Sequence, residues 1–262
     1  MCPPRGDGRA PRRRFLVEAV DPDSEGFRAD RAPQLLAEEL PHALKVLRLK
    51  VGDVLDGMDG CGRTWPLVVS AAGRHSLDLE IQGDPETSPP PGAPGASLPA
   101  IEVAVAFPRP SLAEEMVGRL TQLGVARIRP LITERSTPGA SDPKHAKLER
   151  VAREACKQSG RAWFPAILEP MDLTAWLAGL NVPATHLDAS GGTRVADWAE
   201  GRGGSSEMAL AVGPEGGWSD PERDALHRAG VGATRLAPHI LRTETAAEAA
   251  AAILVQCVMR DA

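Results

Sequence analysis

The stretch "VGPEGGWSDPERDAL", from Val212 to Leu226, joins the end of a predicted strand to the start of a predicted helix. It begins where an apolar run, "MALAV", stops at Gly213, and it places three glycines and the carboxylate Glu215 before a helix start. Ser219 and Glu222 mark that start because their spacing fits a capping box. Glycines at the end of a strand allow a ligand to approach the backbone, although an ordinary tight turn explains them equally well. No Lys-Ser/Thr pair follows, so a phosphate-binding P-loop is not favoured.

Outward from this stretch, strand-like and helix-like segments alternate. The strand-like segments are "IEVAVAF", "ARIRPLI", "THLDAS", "EMALAVG" and "ATRLA". The helix-like segments are "SLAEEMVGRLTQLG", "SDPKHAKLERVAREACKQSG", "DLTAWLAGL", "SDPERDALHRAG" and "TAAEAAAAILVQCVM". This alternation predicts an α/β fold with a mostly parallel sheet, helices on both faces and ligands at the carboxyl ends of the strands.

Capping patterns predict where two of these helices begin. Ser111 with Glu114, and Thr245 with Glu248, have the spacing of capping boxes. Gly160 is expected to end the second helix. The Thr245 assignment leaves the segment before it, "LAPHILRTE", as an irregular loop that follows a strand.

A Pro/Gly/Ser-rich segment predicts a domain boundary. We expect a small domain at residues 1–83, a linker at 84–99 and a larger domain at 100–262. The small domain has short strand patterns, which indicate a small β-barrel. Turns are expected at Asp56–Gly57 and Asp59–Gly60, because Asp-Gly is a frequent hairpin turn.

Composition indicates a soluble, folded protein. The chain has 262 residues, of which 42% are hydrophobic and 25% charged, and a formal net charge of -5. No apolar run reaches the length of about 18 residues that a transmembrane helix needs, and no signal peptide is evident, so we expect a cytoplasmic protein without a membrane partner. Its four cysteines are scattered and form no C-x-x-C pair, which argues against a thiolate metal site and for free thiols.

Four motifs, taken in order, give the chain a family resemblance. They are "TERS" at Thr133–Ser136, "EACKQSGR" at Glu154–Arg161, "GPEGG" and "ILRTETA". The set resembles the bacterial 16S rRNA uridine-N3-methyltransferase family, RsmE. The resemblance implies a PUA-like β-barrel at the N-terminus and a SPOUT domain at the C-terminus. It further implies a trefoil knot that binds S-adenosylmethionine (SAM), and a homodimer.

The resemblance implies a reaction and a substrate. The reaction would be SAM-dependent methylation of N3 of uridine 1498 in 16S rRNA of the small ribosomal subunit. The sulfonium of SAM is the leaving group, so no metal is expected. Two alternatives stay open: another SPOUT enzyme that acts on a ribose 2′-OH or on tRNA, and a non-catalytic RNA-binding assembly factor.

The resemblance also implies a set of cofactor-binding residues. Two positions near them depart from the family pattern: Ala237 stands where glycine is usual, and His239 where arginine is common. Ala237 is acceptable only if its φ is negative. The implied cofactor-binding residues are Leu187, Gly213, Pro214, Glu215, Gly216, Gly217, Leu236, Ala237, Ile240, Leu241, Arg242 and Thr243.

Three residues are candidates for catalysis. Removal of the N3 proton spreads negative charge onto O2 and O4 of uracil, and a cation would stabilise that charge. Arg242 is the candidate cation. Glu215 or Glu244 is the candidate that accepts the proton or orients Arg242.

RNA contact is expected from local groups of cations, because the whole chain is acidic. Arg48 and Lys50 are assigned to a short helix, "PHALKVLRLKVGD", and Arg127 and Arg129 flank a strand of the larger domain. The basic face from Lys147 to Lys157 is interpreted as an ordinary solvated helix face. The candidate RNA-binding residues are Arg12, Arg13, Arg14, Arg48, Lys50 and Arg135.

Overall fold

The chain forms two compact units. The computed structural model describes residues 13–18, 33–136 and 144–259. The first unit takes in the described part of Met1–Ser88 together with Lys157–Trp163, and the second takes in the described parts of Pro89–Cys156 and Phe164–Ala262. The segment predicted as a linker, 84–99, is therefore shared between the units, and a short piece from the middle of the chain belongs to the first.

The first unit is built on a five-stranded mixed sheet. Its strands are β1 Arg13–Leu16, β2 Val54–Met58, β3 Arg63–Ala72, β4 Leu77–Ile81 and β5 Glu86–Thr87. The strand order is β1-β2-β3-β4, with β5 paired to β3. β1 runs parallel to β2, and the other neighbours run antiparallel. Within the described residues no pairing joins β4 back to β1, so closure into a barrel stays a prediction.

One of the two predicted turns of this unit is wrong. Asp56–Gly57 lies inside β2, where a Cβ on the glycine would come within 2.6 Å of Leu67 Cδ1 and 2.8 Å of Val17 Cγ1. Glycine is therefore needed there for close packing. Asp59–Gly60 does form a turn, in which Asp59 Oδ1 accepts a 2.7 Å hydrogen bond from the Cys61 backbone amide.

The short helix predicted in this unit is a single π-helical turn, His42–Val46. The turn ends before Arg48 and Lys50, so the assignment of these two residues to a helix is wrong. Arg48 has a φ of 52° and is the only described non-glycine residue with a positive φ. The conformation of Arg48 redirects the chain out of the turn and towards β2.

Side chains and backbone groups of the first unit hold the Lys157–Trp163 segment. Lys157 Nζ lies 2.6 Å from Glu39 Oε1; the Glu39 side chain is buried and the Lys157 side chain is 13% exposed. Arg14 Nη1 donates to the Lys157 carbonyl at 3.2 Å, and the Gly62 amide donates to the Ala162 carbonyl at 3.0 Å. Lys157 is thus not part of a solvated helix face, which corrects the expectation for that end of the helix.

The second unit contains an eight-stranded parallel sheet. Its strands are β6 Ala100–Val105, β7 Arg127–Ile132, β8 Ala166–Ile167, β9 Met171–Asp172, β10 Ala184–Leu187, β11 Thr193–Arg194, β12 Glu207–Val212 and β13 Gly232–Arg235. The order is β11-β13-β10-β12-β6-β7-β8, with β9 also paired to β7, and every pair is parallel. The predicted α/β class with a parallel sheet is confirmed.

Helices cover both faces of this sheet. They are α1 Pro110–Gln122, α2 His145–Ser159, α3 Leu173–Ala178, α4 Val195–Glu200, α5 Asp220–Arg228 and α6 Thr243–Val258. The larger core packs α1, α2, α4 and α6 against one face, where Val103 and Leu210 are fully buried. The smaller core packs α3 and α5 against the other face around Trp176, Trp218 and Leu226.

Two predicted helix starts are wrong, whereas the predicted helix end at Gly160 is confirmed by its φ of 78°. α1 begins at Pro110 with Arg109 as N-cap, because proline suits the first helical turn and the helix starts before Ser111. α6 begins at Thr243 with Arg242 as N-cap, so Thr245 is not the cap. The first turn of α6 therefore lies closer to the sheet edge than the sequence pattern indicated.

Candidate cofactor cleft

A cleft lies at the carboxyl ends of β10, β12 and β13, which are neighbours in the sheet. Its cavity volume is about 290 Å³, close to the lower end of the range for small-molecule sites. Every residue predicted to bind the cofactor lines the cleft except Arg242. The lining residues that the sequence did not indicate as binding residues are Asp188, Ala189, Val212, Trp218, Arg223, His239 and Ala246.

The three glycines of the "GPEGG" loop have three different structural roles. A Cβ on Gly213 would lie 2.9 Å from Trp218 Cε2, and a Cβ on Gly216 would lie 3.3 Å from Arg135 Cβ. A Cβ on Gly217 would meet only Arg223 Nη2, at 3.9 Å, but Gly217 has a φ of 67°, which side-chain-bearing residues rarely adopt. Protein contacts thus account for Gly213 and Gly216, while Gly217 is needed for the backbone conformation.

Trp218 is a buried aromatic residue beneath the cleft that sequence reasoning missed. It is 2% exposed, and its Nε1 donates to the Leu187 carbonyl at 3.0 Å. The indole meets His186 edge to face, with ring centroids 6.0 Å apart. His186 Nδ1 donates to the Val231 carbonyl at 3.1 Å, and burial lowers the pKa of this imidazole. Trp218 therefore sits in a cluster that reaches all three strands of the cleft.

The "TERS" loop is bound to the "GPEGG" loop through Arg135. Arg135 Nη1 donates to the Gly216 carbonyl at 2.9 Å, so this predicted RNA-binding residue has a structural contact at the cleft. The Glu134 amide donates to Glu222 Oε1 at 2.9 Å, and the Ser219 amide donates to Glu222 Oε2 at 2.8 Å. The predicted capping box at Ser219 is confirmed, and its glutamate also anchors the "TERS" loop.

An ion pair stands at one side of the cleft. Arg223 Nη1 pairs with Asp188 Oδ2, and Asp188 Oδ1 accepts a 2.8 Å bond from the Ser190 amide. The Asp188 side chain is only 6% exposed, so both of its oxygens are used within the protein. This pair fixes α5 against the end of β10 next to the lining residue Leu187.

The three candidate catalytic residues are placed differently. Glu215 is exposed and lines the cleft. Arg242 is exposed at the N-cap of α6, flanked by the lining residues Leu241 and Thr243, and forms no ion pair with a described residue. Glu244 is 8% exposed in the first turn of α6 and does not line the cleft, and its Oε2 has no described hydrogen-bond partner.

The loop from Leu236 to Leu241 forms the third wall of the cleft. It contains Ala237 and His239, the two residues that depart from the family pattern. Ala237 does not have a positive φ, so alanine there causes no left-handed strain. Ile240 is 88% exposed and lines the cleft. The Thr243 hydroxyl donates to the Gly213 carbonyl at 3.1 Å and joins this wall to the "GPEGG" loop.

Several predicted RNA-binding cations are engaged within the protein. Arg127 Nη2 lies 2.5 Å from Glu207 Oε2, and Arg129 Nε lies 2.9 Å from Glu102 Oε1. Arg14 is used to hold the Lys157 carbonyl, as described above. Arg13 is exposed at the start of β1, and Arg12 lies outside the described residues. Arg127 and Arg129 are therefore engaged by carboxylates of the same sheet, and RNA contact by them stays a prediction.

The described parts of the chain contain free thiols but no candidate metal site. These residues contain no group of three or more His, Cys, Asp or Glu side chains arranged to hold a metal ion. Cys61, Cys156 and Cys257 are free thiols. No described helix has both the length and the apolar character needed to cross a membrane.

Comparison with known proteins relates this fold to a named family. The family model described as "RNA methyltransferase domain" matches residues 96–255. Ribosomal RNA small subunit methyltransferase E of Mycobacterium bovis is 33% identical over 221 residues, which cover 80% of each chain. The protein of the same name from Synechocystis sp. is 29% identical over 218 residues, covering 81% of this chain and 69% of that protein.

Solved structures share the fold over nearly the whole chain. A protein from Legionella pneumophila in complex with the bound cofactor SAM superposes with a TM-score of 0.77 at 25% identity, covering 94% of this chain and 97% of that one. Ribosomal RNA small subunit methyltransferase E from Neisseria gonorrhoeae, bound to SAM, has a TM-score of 0.77 at 24% identity, covering 92% of this chain and 95% of that one.

Proposed function

Because the chain belongs to the ribosomal RNA small subunit methyltransferase E family, we propose that it methylates N3 of uridine 1498 in 16S rRNA, using SAM. The observation that carries this proposal is the cleft at the ends of β10, β12 and β13, where the implied cofactor residues converge. The small-subunit relatives favour this reaction over ribose or tRNA methylation. The built cleft favours an enzyme over a non-catalytic assembly factor. As a modifier of ribosomal RNA, the protein would act in the cytoplasm.

The residues of the cleft fit the chemistry of SAM. Apolar side chains, among them Leu187, Leu236 and the exposed Ile240, would cover the adenine ring, and loop backbone would meet its polar edge. Gly217 gives the loop a conformation that other residues rarely adopt. When bound, the cofactor supplies a methyl group on a sulfonium, which makes that methyl electrophilic. The chain's own residues would orient the cofactor and exclude water.

Arg242 is the residue that we propose stabilises the transition state. As the N3 proton leaves, negative charge spreads onto uracil O2 and O4, and a guanidinium could donate to both. The exposed position of Arg242, without an ion pair to a described residue, leaves it available for this role. Glu215, exposed in the lining, would accept the proton or orient Arg242. N3 lies on the Watson–Crick edge, so the base must enter the cleft unpaired.

The path of the last elements supports a trefoil knot. The connection from β10 to β12 carries α4, whose Val195 and Ala199 lie in the larger core. After β13, the chain returns to the same face, where Ala247 and Leu254 of α6 lie in that core. A knot requires that the returning helix also pass through the earlier connection, which we propose for α6 on the family resemblance, since knots are rare exceptions among folds.

RNA contact is proposed for one segment of the first unit, residues 45–54. It runs from the end of the π-helical turn to the first residue of β2 and is called here the basic loop. Lys45, Arg48 and Lys50 are exposed in it and form no ion pair with a described residue. Val46 and Val51 are 66% and 65% exposed, which places apolar surface between the cations. Such a surface could meet phosphates and sugar or base faces together. The proposed PUA-like character of this unit rests on this loop and on the family.

The backbone holds the basic loop in one shape. The Leu49 amide donates to the Ala43 carbonyl at 3.0 Å, and the Gly52 amide donates to the Val69 carbonyl at 2.9 Å. Asp53 Oδ2 accepts a 2.8 Å bond from the Lys50 backbone amide, so this oxygen is engaged by the backbone. A left-handed arginine costs about 1–2 kcal/mol, and such strain concentrates at functional positions.

Replacing Lys45, Arg48 and Lys50 should weaken RNA binding and reduce its dependence on salt. With Ala, Gly and Ala at these positions, the slope of log K against log salt should fall by about 0.7 per lost contact with single-stranded RNA. Glycine replaces Arg48 because it adopts a φ of 52° without strain. Filter binding of a 16S rRNA fragment over a salt series measures the slope. Arg74→Ala, which removes an exposed cation outside the loop, is the control. An unchanged slope in the triple variant would show that the basic loop is only a solvated surface.

A homodimer is proposed from the family resemblance. The alanine-rich face of α6 is not free for dimer packing, since Ala247, Ala250 and Ala251 lie in the core of their own unit. Another surface must then form the interface. Multi-angle light scattering at micromolar concentration should give twice the mass of one 27.7 kDa chain. A mass of one chain would contradict the proposed dimer.

Primer extension on 16S rRNA tests the proposed reaction. N3-methyluridine cannot pair, so reverse transcriptase stops at it. The stop should be present in wild-type cells, absent when the gene is deleted, and restored by the wild-type gene but not by a gene for Arg242→Ala. A stop that persists without the protein would overturn the proposal, and purified protein that methylates tRNA or ribose instead would favour the alternative enzyme class.

A further inference from the structure

We infer that Trp218 is a positioning residue that sets the separation of the two neighbouring strand ends, β10 and β12, on which the cofactor cleft is built. The inference rests on the proposed function, since it assigns the residue to SAM binding. Trp218 is 2% exposed and so offers almost no surface of its own to a ligand. Its effect on a cofactor would act through the strand ends that it contacts.

The first contact is with the end of β10. The backbone pairing between β10 and β12 ends at His186 and Ala211. Leu187, the next residue of β10, gives its carbonyl to Trp218 Nε1 at 3.0 Å. The indole N–H therefore forms a cross-link just beyond the last paired residues of the two strands.

The second contact is with the chain that leaves β12. A Cβ on Gly213 would lie 2.9 Å from Trp218 Cε2 and 3.2 Å from its Nε1, so the Gly213 backbone lies directly against the ring. One rigid ring thus touches Leu187 on one side and Gly213 on the other, and both residues line the cleft. The ring acts as a spacer, because neither strand end can move towards or away from the other without moving the indole.

The third contact extends the cluster to β13. The indole meets His186 at an interplanar angle of 86°, and His186 is bonded to the carbonyl of Val231, the residue before β13. The Trp218 carbonyl also accepts a long bond, 3.5 Å, from Arg135 Nη1. Of these contacts, only the Nε1 bond can be removed while an aromatic ring is kept in place.

Trp218→Phe is the variant that removes this bond, and Trp176→Phe is its matched control. Trp176 is 4% exposed, lies in the same smaller core, and donates through Nε1 to Glu102 Oε1 at 3.0 Å, but it does not line the cleft. Both variants lose an indole and one buried hydrogen bond. Because a bond to a carboxylate is stronger than one to a carbonyl, Trp176→Phe should destabilise the fold at least as much.

Calorimetry with SAM on the full-length apo proteins gives the affinity, and thermal unfolding gives the stability. Both variants should lower Tm, but only Trp218→Phe should weaken SAM binding, by about tenfold, which corresponds to about 1.4 kcal/mol of binding free energy. When SAM is varied at saturating RNA, Trp218→Phe should raise KM for SAM more than it lowers kcat. Unchanged affinity, or an equal loss in both variants, would overturn the inference. A wild-type protein that does not bind SAM would instead overturn the proposed function.

Gly213→Ala supplies a second, independent variant. Its methyl group would displace the same ring, so it should weaken SAM binding by a similar factor. In the Trp218→Phe background the same substitution should cost less, because the bond from Nε1 to the Leu187 carbonyl, which the displaced ring would lose, is already absent. Additive losses in the double variant would show that the two residues act separately and would contradict the spacer.

Discussion

Arg242→Ala is expected to lower the maximal methylation rate by about 10²–10³-fold, the usual effect of removing one donor to a developing anion. SAM affinity should stay within about twofold of wild type, because Arg242 does not line the cleft and its interaction would strengthen only in the transition state. Arg242→Lys should restore part of the rate, since lysine keeps the charge but lacks the planar fork of donors.

Single-turnover methylation of 16S rRNA under saturating SAM separates the two roles that Arg242 could have. A role in the N-cap conformation of α6 would lower thermal stability and SAM affinity together. Arg228→Ala, at an exposed arginine in the last turn of α5, is the control for loss of a surface charge. A near-normal rate for Arg242→Ala would exclude the electrostatic role and leave Glu215 or Glu244 as the better candidates.

Gly217→Val is expected to abolish measurable SAM binding, with an affinity loss of at least about a hundredfold. A β-branched residue at a φ of 67° is a genuine outlier, so the chain would relax by changing the backbone there. That change would move the "GPEGG" loop, which carries Gly213, Pro214 and Glu215 in the cleft. Calorimetric titration of SAM into the folded variant measures the loss.

Gly230→Val is a matched control for the strain itself. Gly230 has a φ of 73°, close to that of Gly217, and open space around it. It lies in the turn between α5 and β13 and does not line the cleft. Both variants should lose stability by about 1–2 kcal/mol, the cost of a left-handed residue. If Gly217→Val retains SAM affinity while losing as much stability as Gly230→Val, the loop conformation has no part in cofactor binding.

The location of the cleft was predictable from the sequence because three separate strand ends carried the signal. Apolar runs that stop at Leu187, Val212 and near Leu236 place their loops at one edge of a parallel sheet, whatever the strand order. The order itself follows from long-range packing, which local patterns do not contain. The family resemblance then supplied the cofactor and its residues.

Side-chain partners were not predictable in the same way. Arg127 and Arg129 resemble free cations in the sequence, and only the sheet register places Glu102 and Glu207 beside them. Trp218 follows two glycines without any pattern that reveals its bond to Leu187. The capping pattern at Thr245 also predicted a helix start that is too late. α6 begins at Thr243, whose hydroxyl bonds to the Gly213 carbonyl, so the helix extends towards the cleft.

The Lys157–Trp163 segment has a consequence for the way the protein is made. A polypeptide emerges from the ribosome amino end first, and domains usually fold as they emerge. The strands of the first unit emerge early, but the Gly62 amide meets the Ala162 carbonyl only after α1, β7 and α2 have been synthesised. A gene fragment for residues 1–83 would leave Gly62 and Arg14 without these acceptors. Recombination that exchanged only the part of the gene for residues 1–83 would have the same effect. The strands from the other gene would have to bind the unchanged Lys157–Trp163 segment, which is encoded far downstream.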